Sequence, residues 1–144
     1  MIKIDKYAIG CLFLVILLIA AWLCASVYLE HQAFSSAEFI GLKEFRRISE
    51  EYVGKYVRTS GLLHEFLGVA VKVWNYRIVA IEYYSYLLVN KSVAVVLHAK
   101  FKCHHLLQRW VNVTGKVERL CNEDGRLMGF AIDVVEISEY CLVK

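Results

Sequence analysis

The chain is predicted to be mainly β. An N-terminal transmembrane helix leads into a five-stranded β-barrel with a short helix between its third and fourth strands. Three observations predict this class. A charge-free apolar run occupies residues 7–29. From Val53 onward apolar residues recur at every second position, the period of a strand with one buried face. Between Lys100 and Gln108 that alternation fails. Composition narrows the class further. The 144 residues include no proline and are 58% hydrophobic, and their mean hydropathy is +0.47. That mean is too high for a chain soluble throughout, yet 22% of the residues are charged, so the apolar excess sits in one block. Many aromatic and β-branched residues exclude disorder. Eight glycines with no proline exclude a collagen-like chain. A single long apolar run argues against a multi-span channel.

The first element is the helix. Residues 7–29 would extend about 34 Å at about 1.5 Å per residue, against a hydrocarbon core of about 30 Å. Tyr7, Trp22 and Tyr28 lie towards its ends, where aromatic rings favour the headgroup zone. Lys3 and Lys6 precede the run, so residues 1–6 are expected in the cytoplasm and everything after about residue 30 outside the cell membrane. A cleaved signal peptide would have an apolar core of about 7–15 residues, shorter than this one. The small-residue stretch Cys24-Ala25-Ser26 falls inside the run, so an uncleaved anchor is expected. Cys11 and Cys24 then act as small apolar residues in lipid.

A connecting segment, 30–52, comes next. Ser35-Ser36-Ala37-Glu38 has the form of a capping box. Phe39, Leu42, Phe45, Ile48 and Tyr52 follow at helical spacing, which predicts an amphipathic helix over about 36–52. With no proline in the connection, that helix would hold the barrel near the bilayer.

The barrel domain is expected at 53–144. Lys55 to Leu63 alternates and carries Gly61 in mid-strand, where a closing barrel bends. Ile81 to Val89 and Ser92 to His98 flank Asn90-Lys91, a tight-turn signal. Lys100 to Gln108 suits a short helix. In the segment beginning at Trp110, Val111, Val113 and Val117 share one face, while Asn112, Thr114 and Lys116 take the other. Asn122-Glu123-Asp124-Gly125 marks a turn before a last strand from Arg126 to Ile137. The segment Gly68 to Ala80 either extends the first strand or forms an extra hairpin.

This order, three strands, a helix and two strands, is that of an OB-fold. Val53-Gly54-Lys55-Tyr56-Val57 with Gly61, and the later Val111-Asn112-Val113-Thr114-Gly115-Lys116-Val117, resemble the first and fourth strands of OB-fold domains such as the anticodon-binding barrels of tRNA enzymes. Tyr86-Leu87-Leu88-Val89 resembles a second strand. The resemblance covers roughly residues 50–139 and implies a fold that hosts many activities. The layout of one anchor and one external barrel is also similar to the haem chaperone of cytochrome c maturation. That family attaches haem through a His or Cys four residues before a Tyr, and here Glu136 stands four before Tyr140. The layout is shared without the motif.

Candidate chemistry is sparse. Cys103-His104-His105, with His98 and His64 elsewhere, has the ligand types for a transition metal but lacks paired zinc-site spacing. No metal or cofactor is therefore expected. Outside the cell, Cys103, Cys121 and Cys141 would meet an oxidising space. Cys121 and Cys141 bracket the last strand and are the favoured disulfide pair, against the alternative of free thiols. Asn90-Lys91-Ser92 and Asn112-Val113-Thr114 are glycosylation sequons. No acidic residue falls between Glu82 and Glu118. Within and beside that stretch, Tyr83, Tyr84, Tyr86, Lys100, Lys102, Arg109 and Trp110 form the candidate ligand or partner surface, since Tyr and Arg favour interfaces. There is no nucleophile elbow and no phosphate loop. The reading is a non-catalytic, single-pass anchored interaction module, an accessory subunit of a membrane protein assembly. Nucleic-acid or other ligand binding by the barrel face is the alternative.

Overall fold

The computed structural model describes residues 6–41 and 50–141. Its elements are helix α1 (Lys6–Ser35), strands β1 (Glu38–Phe39), β2 (Tyr56–Trp74), β3 (Arg77–Asn90) and β4 (Val93–Ala99), a 3₁₀ turn (His104–Leu106), and strands β5 (Trp110–Cys121) and β6 (Leu127–Glu139). Two compact units result, one containing α1 and one beginning at Ser36. The helix is 30 residues long, about 45 Å. Ile9–Ser35 is long and apolar enough to cross a membrane, and its most apolar 18-residue stretch is exposed throughout.

The second unit is the expected OB-type barrel. The sheet runs β1-β2-β3-β4-β6-β5 and closes where β2 pairs with β5. The β4–β6 pairing is parallel and the other long-strand pairings are antiparallel. Closure depends on β2 serving two partners in turn. Its first half, Tyr56 to Leu62, lies against β5, and from Leu62 to Trp74 it lies against β3. Gly61 sits at the handover, where a Cβ would lie 2.9 Å from the Val89 carbonyl oxygen. Alternation along the strands sends Val57, Leu63, Leu88, Leu97, Val113 and Ile132 into one core. Among the described residues, buried members of that core run from Ile40 to Val134 and none belongs to α1, so the barrel has what it needs to fold alone.

Two expectations are corrected. The connecting helix is absent over residues 36–41: α1 itself continues to Ser35, whose hydroxyl donates to the Gln32 carbonyl at 2.9 Å. Glu38 and Phe39 then pair with Val57 and Arg58, and the Ile40 N–H donates to the Arg58 carbonyl at 2.7 Å. The physical reason is an open edge. β3 reaches back along β2 only to Leu62, so β2 between Tyr56 and Gly61 would expose unpaired backbone without β1. Leu42, Phe45 and Ile48 lie outside the described residues. The second correction concerns the turn after β3. Asn90 still pairs with Val93, so Lys91 and Ser92 form the loop, and Lys91 takes a φ of 55°. The expected short helix between β4 and β5 is present as one 3₁₀ turn, ended where Gln108 adopts a φ of 63° and its N–H donates to the Leu63 carbonyl.

The segment Gly68 to Ala80 is resolved as a hairpin. β2 and β3 continue past the barrel wall and reverse at Asn75-Tyr76, where φ is 47° and 60°. Two successive positive φ values are the signature of the two-residue turn whose twist matches paired strands.

Candidate interaction surface

The four-residue span Tyr83–Tyr86 lies on β3, and alternation divides it. Tyr84 and Tyr86 point inward and are 9% and 1% exposed, so neither belongs to an open surface as expected. Tyr86 is a structural post. Its hydroxyl accepts a hydrogen bond from the Cys103 N–H at 2.7 Å and reaches His104 Nδ1 at 2.9 Å. The His104 ring lies 4.5 Å from the Phe66 ring, and Phe66 lies 5.4 Å from Tyr86. Burial raises the Tyr86 hydroxyl above the usual phenol range. Burial likewise pushes the Cys103 thiol up to about 11, so it is a protonated thiol donating to the Phe101 carbonyl. Cys103 and His104 thus fasten the 3₁₀ turn to β3. Among the described residues, no group of three His, Cys, Asp or Glu could hold a metal ion.

Tyr83 faces outward and stacks on His98, with ring centroids 4.0 Å apart. His98 Nδ1 is 2.5 Å from Glu118 Oε1. The next residue, Tyr84, pairs with Ala99, which brings the exposed Lys100 and Lys102 close, and Lys102 Nζ sits 6.0 Å from the Tyr84 ring centroid. Lys102 therefore lies at the rim of the core beside Tyr84, while Tyr83 stands on the opposite face of β3. Arg109 and Trp110 lie at a different level of the barrel. Tyr84 pairs with Val69 of β2, whereas Trp110 pairs with Leu62. Seven residues of strand separate those levels, about 23 Å. Trp110 is 48% exposed, and Arg109 Nη1 donates to Glu139 Oε2 at 2.9 Å. With Ser60 and Tyr140 they line an open recess of about 450 Å³. The expected residues thus do not form a single surface.

The expected Cys121–Cys141 bridge is also corrected. β5 and β6 pair from Val111 with Glu139 at one end to Cys121 with Leu127 at the other. Cys141 follows Glu139, so the two thiols lie at opposite ends of this ladder, roughly 30 Å apart. A bridge needs Cα atoms within about 7 Å. Both are free and exposed. Of the sequon residues, Asn112 is exposed on β5, and Asn90 is half-buried with Nδ2 3.5 Å from the Ser60 carbonyl. Trp74 and Tyr76, aromatic candidates for the same surface by sequence, stand instead at the hairpin tip, and Phe66 carried no sequence signal of its own. The available signal for the hairpin was the alternation Val69, Val71, Val73 running on beyond the length of one barrel strand.

The chain is a small OB-fold barrel that carries an N-terminal apolar helix long enough to cross a membrane. It matches no family model and no curated protein. Among solved structures it is similar to the telomere capping protein Ten1 from Saccharomyces pombe, at 16% identity and a TM-score of 0.46, over 75% of this chain and 85% of that one. It is also similar to a protein described as an aspartyl-tRNA synthetase from Leishmania major Friedlin, at 15% identity and a TM-score of 0.45, over 72% of this chain. The match spans only 21% of that protein's length.

Proposed function

We propose that the protein is a non-catalytic, single-pass membrane-anchored OB-fold module that joins a membrane assembly as an accessory subunit, with its barrel on the extracytoplasmic side. One observation carries this reading: residues 7–29 of α1 are uncharged on every face, and the most apolar 18-residue stretch of the helix is exposed throughout. A helix apolar on every face needs an apolar medium, and a bilayer supplies one across about 20 residues. Among the described residues, the barrel core includes no residue of α1. Lys3 and Lys6 favour the orientation with residues 1–6 inside. For the partner contact we favour the recess of Arg109, Trp110 and Tyr140, because Trp, Tyr and Arg are the side chains that dominate interface energetics. Alkaline extraction of membranes should leave the full chain in the pellet, and detergent should release it. Maleimide labelling of a variant retaining Cys121 alone should occur in intact cells. A chain released by alkali, or a thiol labelled only after lysis, refutes the anchor or its orientation. In mild detergent a partner should co-purify and be lost in Trp110→Ala.

A second reading, nucleic-acid binding by the barrel, is favoured by the acid-free span between Glu82 and Glu118 and by the exposed Lys100 and Lys102 beside Tyr84. It requires a salt-dependent mobility shift of a single-stranded oligonucleotide by residues 36–144, and fails if none occurs at low salt.

A further inference from the structure

The hairpin formed by the outer parts of β2 and β3 buries almost nothing. Every residue from Val71 to Glu82 is exposed, with Trp74 at 69% and Ile78 at 67%. A two-stranded ribbon in water is at best marginal, and apolar side chains gathered on one mark a contact surface. The register shows how they are gathered. Val71 opposes Ile81 and Val73 opposes Ile78, so these four share a face, and beyond Val69 and its partner Tyr84 the paired residues of that face are aliphatic. Lys72 opposes Ala80 and Trp74 opposes Arg77, so the other face carries both cations of the tip. From Phe66 to Ile81 there is no acidic residue. Tyr76 completes the turn, fully exposed.

An aliphatic face, a cationic face, and Trp and Tyr at the end are the composition of an element that lies in a membrane interface. The aliphatic side enters the acyl boundary, the cations meet lipid phosphates, and the aromatic rings occupy the headgroup zone. The connection to α1 favours the same occupant. Only Ser36 and Ala37 separate the end of α1 from β1. A chain held by α1 therefore keeps its barrel at the bilayer surface, where the effective lipid concentration is high.

We infer that the β2–β3 hairpin is a second membrane contact, inserting Val71, Val73 and Ile78 into the interface of an anionic leaflet with Trp74 at the headgroup level. The choice of a bilayer as occupant rests on the anchored reading above, but the hairpin is tested without the anchor. Residues 36–144 would be mixed with phosphatidylcholine vesicles that contain or lack phosphatidylglycerol, in a Trp110→Phe background that leaves Trp74 as the reporter. Binding to the anionic vesicles is expected, with a blue-shifted Trp74 emission that brominated lipid quenches. Lys72→Gln and Arg77→Gln should each weaken binding roughly fivefold. The pair Val73→Asp and Ile78→Asp should abolish it, while circular dichroism stays unchanged because both positions are exposed. A folded fragment that ignores both vesicles overturns the proposal. So does a dimer, or an oligonucleotide complex, that the Val73→Asp and Ile78→Asp pair dissolves without any vesicle binding. If alkali releases the full chain from membranes while the fragment binds vesicles, the anchor is refuted and the hairpin contact stands.

Discussion

Gly115 is the position at which the barrel tolerates least. A Cβ there would lie 2.3 Å from the Asp133 carbonyl oxygen and 2.5 Å from Ile132 Cγ2. A comfortable carbon–oxygen approach is about 3.3 Å or more, so β5 and β6 would have to part by roughly 1 Å. β6 cannot give way easily. Ala131 to Val134 are held on their other edge by Val96 to Ala99 of β4. The obstacle is backbone, so no rotamer change relieves it. Overpacking of this kind costs about 1–3 kcal/mol, and the upper end applies here. Removing a glycine from the unfolded chain offsets about 0.4–1 kcal/mol. Gly115→Ala should therefore destabilise residues 36–144 by about 2–3 kcal/mol, a fall of about 10–15 °C in the Tm for a domain of this size. Thermal unfolding followed by circular dichroism reads this directly. Gly129→Ala, on the neighbouring strand with nothing within 4 Å of its added Cβ, is the control and should change little. If both substitutions lower the Tm equally, or Gly115→Ala leaves it unchanged, close approach of β5 and β6 does not govern closure.

Three further outcomes are expected. The Thr59 hydroxyl is buried without a hydrogen-bond partner among the described residues, so Thr59→Val should raise stability by about 1 kcal/mol in urea titrations; destabilisation would mean that the hydroxyl is satisfied. Tyr86→Phe removes the acceptor of the Cys103 N–H and should cost about 1–3 kcal/mol by the same measurement. The folded Cys103 thiol keeps its proton from the ordinary value of 9.0 up to about 11. Between those limits the folded state binds more protons, so this contribution is complete below pH 9 and is lost as pH rises through about 11. The urea midpoint should fall over that interval and fall less steeply in Cys103→Ala, while Ellman's reagent at neutral pH should titrate Cys121 and Cys141 before unfolding and Cys103 only after it.

Much of the fold was legible because local and long-range signals agree. Val111, Val113 and Val117 alternate with polar residues, and the structure puts all three in the core. Asn122 to Gly125 closes a turn, with the Gly125 N–H donating to the Asn122 carbonyl at 2.9 Å. The helical spacing from Phe39 to Tyr52 misled at its start because sequence shows periodicity but not an unpaired strand edge. Phe39 is 64% exposed, while Ile40, which fits no position in the helical stripe, is 2% exposed. Pairing with Arg58 decided that segment, and Arg58 is remote in sequence.

The candidate surface was harder to read for a reason built into barrels. In an open sheet, one face of the alternation is buried and the other is wet. In a barrel, the inward face is core at mid-strand but emerges beyond the wall. Val69, Val71 and Val73 continue the face of β2 that buries Leu63, and Ile78 and Ile81 continue the face of β3 that buries Tyr84 and Tyr86. The same period-2 pattern thus encodes a core residue at Leu63 and an exposed one at Val73, and only the length of the wall separates them. Aromatic residues suffer the same ambiguity: Tyr86 holds the 3₁₀ turn from inside, while Tyr76 stands clear of the protein. An alternating run much longer than one barrel strand is therefore itself a signal. The 19 residues of β2 exceed what the seven paired with β5 require, and the surplus forms the hairpin.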